Sequence, residues 1–251
     1  MAKKLKTIRA GSLVKKVLYT APEPRDNYKQ RAAKSKMTTD ARKRMNDKTA
    51  KGNLELIMAA NFGPMDLVVC LSYRDEYLPK TRDDAIRNMK KFIRLLRLAS
   101  EREGKQLKYV WVTESNHGDG RYHHHMMCNQ ISQNDIELIS SLWRYGDNPN
   151  IQHVKDRDFD VWAQYFAKEG CDRPLGKKMW RSSKGLKKPT VEIEYVPNDT
   201  VLSSPSGCRI IEREDKEIEF GSYSYIKYIE SDGKQNTGRY DGKFVPCLRP
   251  H

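Results

Sequence analysis

The chain has 251 residues, and its 47 Lys+Arg against 33 Asp+Glu give a net charge of +14 and a pI near 9.5. No apolar run approaches the ~20 residues of a membrane-spanning helix and no signal-peptide core is evident, which excludes a helical membrane protein and predicts a cytoplasmic one. The excess of cations suits a polyanion such as nucleic acid rather than a small-molecule substrate or a membrane.

Residues 1–37 are basic and almost without apolar pattern, and are expected to form a solvated tail that adds phosphate contacts. A helix is predicted from Thr39 to about Ala60, interrupted at Gly52 and stopped by Asn61-Phe62-Gly63-Pro64. The run 66–73 is near-continuously apolar and reads as a central strand. Thr81 can cap a helix whose apolar stripe is Ile86, Met89, Phe92, Ile93 and Leu96. Two strands follow, 109–114 and the histidine stretch from Arg121 to Asn129, joined by the turn-rich segment 115–120. A second helix is expected from about Asn134 to near Tyr145-Gly146, with Ile136, Ile139 and Leu142 inward. Residues 151–155 read as a short strand. A third helix is expected over 158–169, stopped by Gly170, with Phe159, Trp162, Ala163 and Phe166 as its buried stripe.

Beyond Pro174 the composition shifts to a basic segment around Trp180, then to short candidate strands (190–196, 209–211 and 222–229). The order strand, helix, strand, strand, helix, strand predicts an α+β fold of the split βαβ (ferredoxin- or RRM-like) type. Both helices should lie on one face of an antiparallel sheet, with the other face open for a ligand. The expected division is a tail over 1–37, a catalytic domain over 38–190 and a β-rich extension of unassigned role over 191–251. The five cysteines, Cys70, Cys128, Cys171, Cys208 and Cys247, are scattered without a Cys-x-x-Cys pair and read as reduced thiols.

The chemistry concentrates in His123-His124-His125. Side chains alternate along a strand, so His123 and His125 share a face and His124 takes the other. Two neighbouring imidazoles can hold one divalent cation, and Glu114 on the preceding strand is placed to be a third ligand. Tyr165 lies just outside the buried stripe of the third helix, with Lys168 one turn on. A tyrosine can attack a DNA phosphodiester and retain the 5′ phosphate, while a divalent cation polarises that phosphate. Lys168 would neutralise phosphate charge or favour the tyrosinate. Arg121, Arg181, Lys184, Lys187 and Lys188 are the candidate DNA-binding cations.

Three stretches, in order, resemble motifs of the HUH endonuclease superfamily, which includes rolling-circle replication initiators of phages and plasmids. Residues 69–73 are similar to its first motif, with Ser72 where Thr is usual. Residues 122–125 are similar to the second, with His124 where the middle position is normally hydrophobic. Residues 163–168 are similar to the third, a single Tyr followed by Lys. Asn61-Phe62 and the segment from Ser183 to Pro189 resemble phage-type proteins grouped with the filamentous-phage initiator. The resemblance covers roughly residues 38–190. It implies nicking and joining of single-stranded or hairpin origin DNA through a 5′-phosphotyrosine, with Mg2+ or Mn2+ as cofactor. No P-loop is present, so unwinding implies a host or phage helicase in trans. Alternatives are a relaxase or transposase of the same superfamily, or a non-catalytic nucleic-acid-binding module, for which exposed aromatics on the central strands would be expected.

Overall fold

A computed structural model describes residues 2–21, 39–115, 121–169, 177–218 and 221–231. In chain order these form β1 (Ala2–Ala10), β2 (Leu13–Ala21), α1 (Thr39–Asn61), β3 (Leu67–Leu71), α2 (Arg82–Arg102), β4 (Tyr109–Glu114), β5 (His123–Cys128), α3 (Asp135–Leu142), β6 (Asn150–His153), α4 (Asp160–Glu169), β7 (Arg181–Ser182), β8 (Thr190–Val196), β9 (Arg209–Ile218) and β10 (Gly221–Ile229). They fall into two compact units, Asp47–Leu186 and Met1–Asn46 with Lys187–Asn236. Among the described residues no helix is long and apolar enough to cross a membrane.

The first unit holds the antiparallel sheet β6-β3-β5-β4-β7. Its first four strands follow the order of a split βαβ fold, so the α+β expectation holds. Helix α2 starts where expected, with the Thr81 hydroxyl accepting from Asp84 N at 3.1 Å. The side-chain oxygen of Asn134 caps α3 by accepting from Glu137 N at 3.3 Å. One sheet face, carrying Leu67, Val69, Leu71, Tyr109, Trp111, Met126 and Cys128, buries against Ile86, Met89, Phe92, Ile93 and Leu96 of α2 and Ile139 of α3.

Several expectations change here. The second sheet face is not open. Val68, Val110, Val112 and Met127 are buried on it, and α4 packs against β4 with Phe159, Ala163 and Phe166 buried. Ile136 is 58% exposed instead of inward. Asp135 takes the buried place, its carboxylate accepting from Ile131 N and Ser132 N, and α3 ends at Leu142. Helix α1 runs unbroken through Gly52, anchored by buried Leu54, Leu56, Met58 and Ala59. Trp162 is half-buried and flanks the α4 stripe instead of belonging to it. Gly170 lies outside the described residues. Cys70, Cys128 and Cys208 are free thiols, as expected, and burial pushes the Cys128 thiol upward.

The second unit overturns the tail. Residues 2–21 form a hairpin at the heart of the antiparallel sheet β8-β1-β2-β10-β9. Lysines alternate with Leu5, Ile8, Val14 and Leu18 along it, so its charge masks a strand period. Val14, Leu18, Leu202, Ile226 and Tyr228 make its small core. The expected tail and the expected C-terminal extension are thus parts of one sheet; residues 22–38 and 232–251 lie outside the described residues.

Candidate active site

Strand β5 sits between β3 and β4, so each histidine is held by a ladder on both sides. The register sets His123 opposite Glu114, His125 between Cys70 and Val112, and His124 between Leu71 and Thr113. Alternation then separates them as expected. His123, His125 and Glu114 share the α4 face, and His124 points into the α2 side.

On the α4 face the side chains converge. Glu114 Oε1 lies 2.9 Å from His125 Nε2 and 3.5 Å from His123 Nδ1. Glu114 and His125 are each only 2% exposed, so this contact is shielded from water. Tyr165, half-buried on α4, sets its hydroxyl 3.3 Å from His125 Nδ1. Its ring meets the imidazole edge-on, with centroids 4.9 Å apart and an interplanar angle of 81°. Trp162 stands beside it at 6.5 Å between ring centroids. The resulting chain is carboxylate, imidazole, phenol. Lys168 is exposed in the last turn of α4.

The donor set suits a divalent cation. Two imidazole nitrogens and one carboxylate oxygen fit Mn2+ well and Mg2+ less so. Ligand atoms that share one six-coordinate ion at about 2.1 Å stand roughly 3 Å apart, close to the two separations above. Among the described residues no three His, Cys, Asp or Glu side chains form a ready-made metal cage. The Glu114–His125 hydrogen bond itself occupies the space between these donors.

His124 is the reverse case. It is fully buried, its Nε2 lies 2.8 Å from the Tyr73 hydroxyl and its Nδ1 lies 2.9 Å from the Thr113 hydroxyl. Trp111 and Trp143 approach it edge-on, both at 5.8 Å. Burial, then the adjacent imidazoles, hold its pKa well below the ordinary histidine value, so it is neutral. It occupies a core position, in keeping with the hydrophobic residue usual there. Nothing in the sequence pointed to Tyr73 and Thr113 as its partners; only the strand register brings them together.

The basic residues divide. Arg121 donates to Tyr73 O at 2.8 Å and pairs with Asp75. Arg181 is not brought to the His123 face. It pairs with Trp111 in the ladder, and its guanidinium lies 5.1 Å over that indole, half-buried and with its pKa lowered by burial. Lys184 is exposed in the turn before Gly185, and Lys187 and Lys188 are exposed on the segment leading to β8.

Residues 66–170 match the model of a family described as replication-associated protein of the ORF2 type. That span contains Glu114, His123, His125, Tyr165 and Lys168. Comparison with curated proteins and with solved structures gave no match. Through residues 66–170 the chain belongs to this ORF2-type family, which makes it a replication-associated protein.

Proposed function

We propose that this protein is a rolling-circle replication initiator of the HUH type. It nicks and rejoins single-stranded or hairpin origin DNA through a 5′-phosphotyrosine on Tyr165. The observation that carries the reading is the contact chain Glu114–His125–Tyr165, which couples a strand-borne carboxylate and imidazole to a helix-borne phenol.

In this arrangement the Tyr165 hydroxyl donates to His125 Nδ1, and His125 Nε2–H donates to Glu114 Oε1. The phenol proton can pass to Nδ1 as the oxygen attacks, and the carboxylate offsets the imidazolium charge, as in other base–orienter pairs. The Tyr165 Oη–P bond forms and the P–O3′ bond breaks. The leaving oxygen takes a proton and becomes the 3′-OH that primes synthesis. Joining is the reverse, with a 3′-OH attacking phosphorus and phenol departing. His123, His125 and Glu114 are the residues that would hold Mg2+ or Mn2+. Such a cation polarises the scissile phosphate and offsets charge in the in-line transition state. With the Nε2 edge so engaged, the ring proton sits on Nδ1 and donates to the phenolate. Lys168, exposed beside the phenol, supplies a further positive charge for the phosphate. Helicase action in trans completes the scheme.

The test is cleavage of origin DNA by single variants. Tyr165→Phe should abolish nicking, by at least a thousandfold, while DNA affinity stays within about twofold of wild type. His123→Ala and His125→Ala should lose Mn2+-dependent cleavage and weaken Mn2+ binding followed by electron paramagnetic resonance. Nicking by Tyr165→Phe at the wild-type rate would remove Tyr165 as the nucleophile.

A further inference from the structure

The second sheet carries a surface that the nicking site does not use. In the ladder, Lys4 is paired with Tyr195 on one side and Tyr19 on the other, and Tyr19 is paired with Tyr223. Paired residues share a face, so these four side chains stand in one row across β8, β1, β2 and β10. Strands lie ~4.8 Å apart, which makes the row ~14 Å wide. One register step along, Lys6 stands between Ile193 and Val17 on the same face.

The opposite face is the one that buries Val14, Leu18, Ile226 and Tyr228 against Leu202. The segment after β8 lies over it, with Lys3 Nζ reaching Thr200 O and Lys16 Nζ reaching Ser203 O, both at 3.4 Å. The tyrosine–lysine row lies on the other side. On β8 it presents Val191, Ile193 and Tyr195 at 52%, 58% and 62% exposure. Alternation would usually put polar residues on a solvent face, and the exposed side of β8 departs from that rule. The Lys4 ammonium lies 4.7 Å over the Tyr195 ring, so cation and ring stand side by side.

We propose that this face is a second binding surface for a single DNA strand, with bases stacking on Tyr195, Tyr19 and Tyr223 and phosphates meeting Lys4 and Lys6. Phenol rings interleaved with lysines are the combination that binds single strands without reading sequence. An apolar dimer seam would not alternate with like charges. The choice of DNA over RNA rests on the replication-associated family; the surface itself does not depend on the chemistry of Tyr165.

The experiment uses the full chain in EDTA, so cleavage plays no part. It measures fluorescence anisotropy with labelled oligothymidine longer than the roughly 4–16 nucleotides such surfaces cover. Tyr195 is exposed on an edge strand, and two substitutions separate the role of its ring from folding. Tyr195→Ala should weaken binding about 5- to 150-fold. Tyr195→Leu, which keeps apolar area and strand preference but has no ring, should weaken it similarly. Neither should change the salt dependence. Lys6→Gln should lower the slope of log K against log salt by about 0.7, one phosphate's share on a single strand. Wild-type affinity in both Tyr195 variants overturns the proposal. So does a wild-type dimer that Tyr195→Ala dissociates without loss of DNA affinity, which assigns the face to a second copy of the chain. Preference for an oligouridine RNA of equal length overturns the choice of DNA. SDS-stable adduct formation at saturating DNA should be unchanged in Tyr195→Ala, which keeps this test separate from that of Tyr165.

Discussion

Three consecutive histidines divide between two jobs because a strand has two sides. His123 and His125 join Glu114 where Tyr165 arrives, while His124 bonds Tyr73 and Thr113 in the core. His124→Leu should therefore retain Mn2+-dependent nicking. It should cost roughly 1–3 kcal/mol of stability, because two buried hydroxyls lose their partner. Denaturant unfolding and a cleavage assay on the same preparation check this. Loss of cleavage in a folded His124→Leu protein would mean the facing has been misassigned. The alternation was legible in the sequence, and so was the pairing of Tyr165 with the histidines as an expectation. The partners of His124 were not, since Tyr73 and Thr113 are 51 and 11 residues away and meet it only through register. Arg121 was legible as a cation but not as the partner of Asp75.

At the level of elements, periodicity marked β3, α2, β4, β5 and α4 well, because each has one buried face with its proper repeat. It failed where one residue type carried the inference. Gly52 suggested a break, yet the helix continues because the residues after it bury deeply. A Cβ there would meet nothing within 4 Å. Gly52→Ala should thus stabilise the protein by about 0.5–1 kcal/mol, the helix-interior cost of glycine. Gly146 is the opposite. A Cβ on it would collide with Ser72 O, the same carbonyl that accepts from Trp143 Nε1 at 2.7 Å. Gly146→Ala must push the loop off the end of β3 and should lower the melting temperature by several degrees. Thermal unfolding of the two variants side by side checks both signs. Ile136 misled because helical spacing fits Ile136, Ile139 and Leu142, whereas Asp135 is drawn inward by the backbone amides it accepts from.

For the whole molecule, the order of elements from β3 to α4 was readable because local repeats set it. The second unit was not, because its sheet pairs the first 21 residues with strands near 190–229, and no local signal reports such pairing. Its lysines also made a central hairpin look like a tail. Removing residues 1–21 should therefore not yield a trimmed but intact protein. Strands β8 and β10 lose the neighbours between them, and circular dichroism should show lost strand content with falling solubility. Unchanged strand content would contradict the topology. The charge of +14 predicts a steep fall of DNA affinity with salt.

The most direct test of the nicking account is incubation with a pool of labelled single-stranded DNA and Mn2+, followed by denaturing electrophoresis. The account predicts a DNA–protein adduct that survives SDS, maps to Tyr165 by peptide mass, and is absent from Tyr165→Phe. Tight DNA binding with no adduct under Mn2+ or Mg2+ would contradict it and leave a binding module without strand-transfer chemistry.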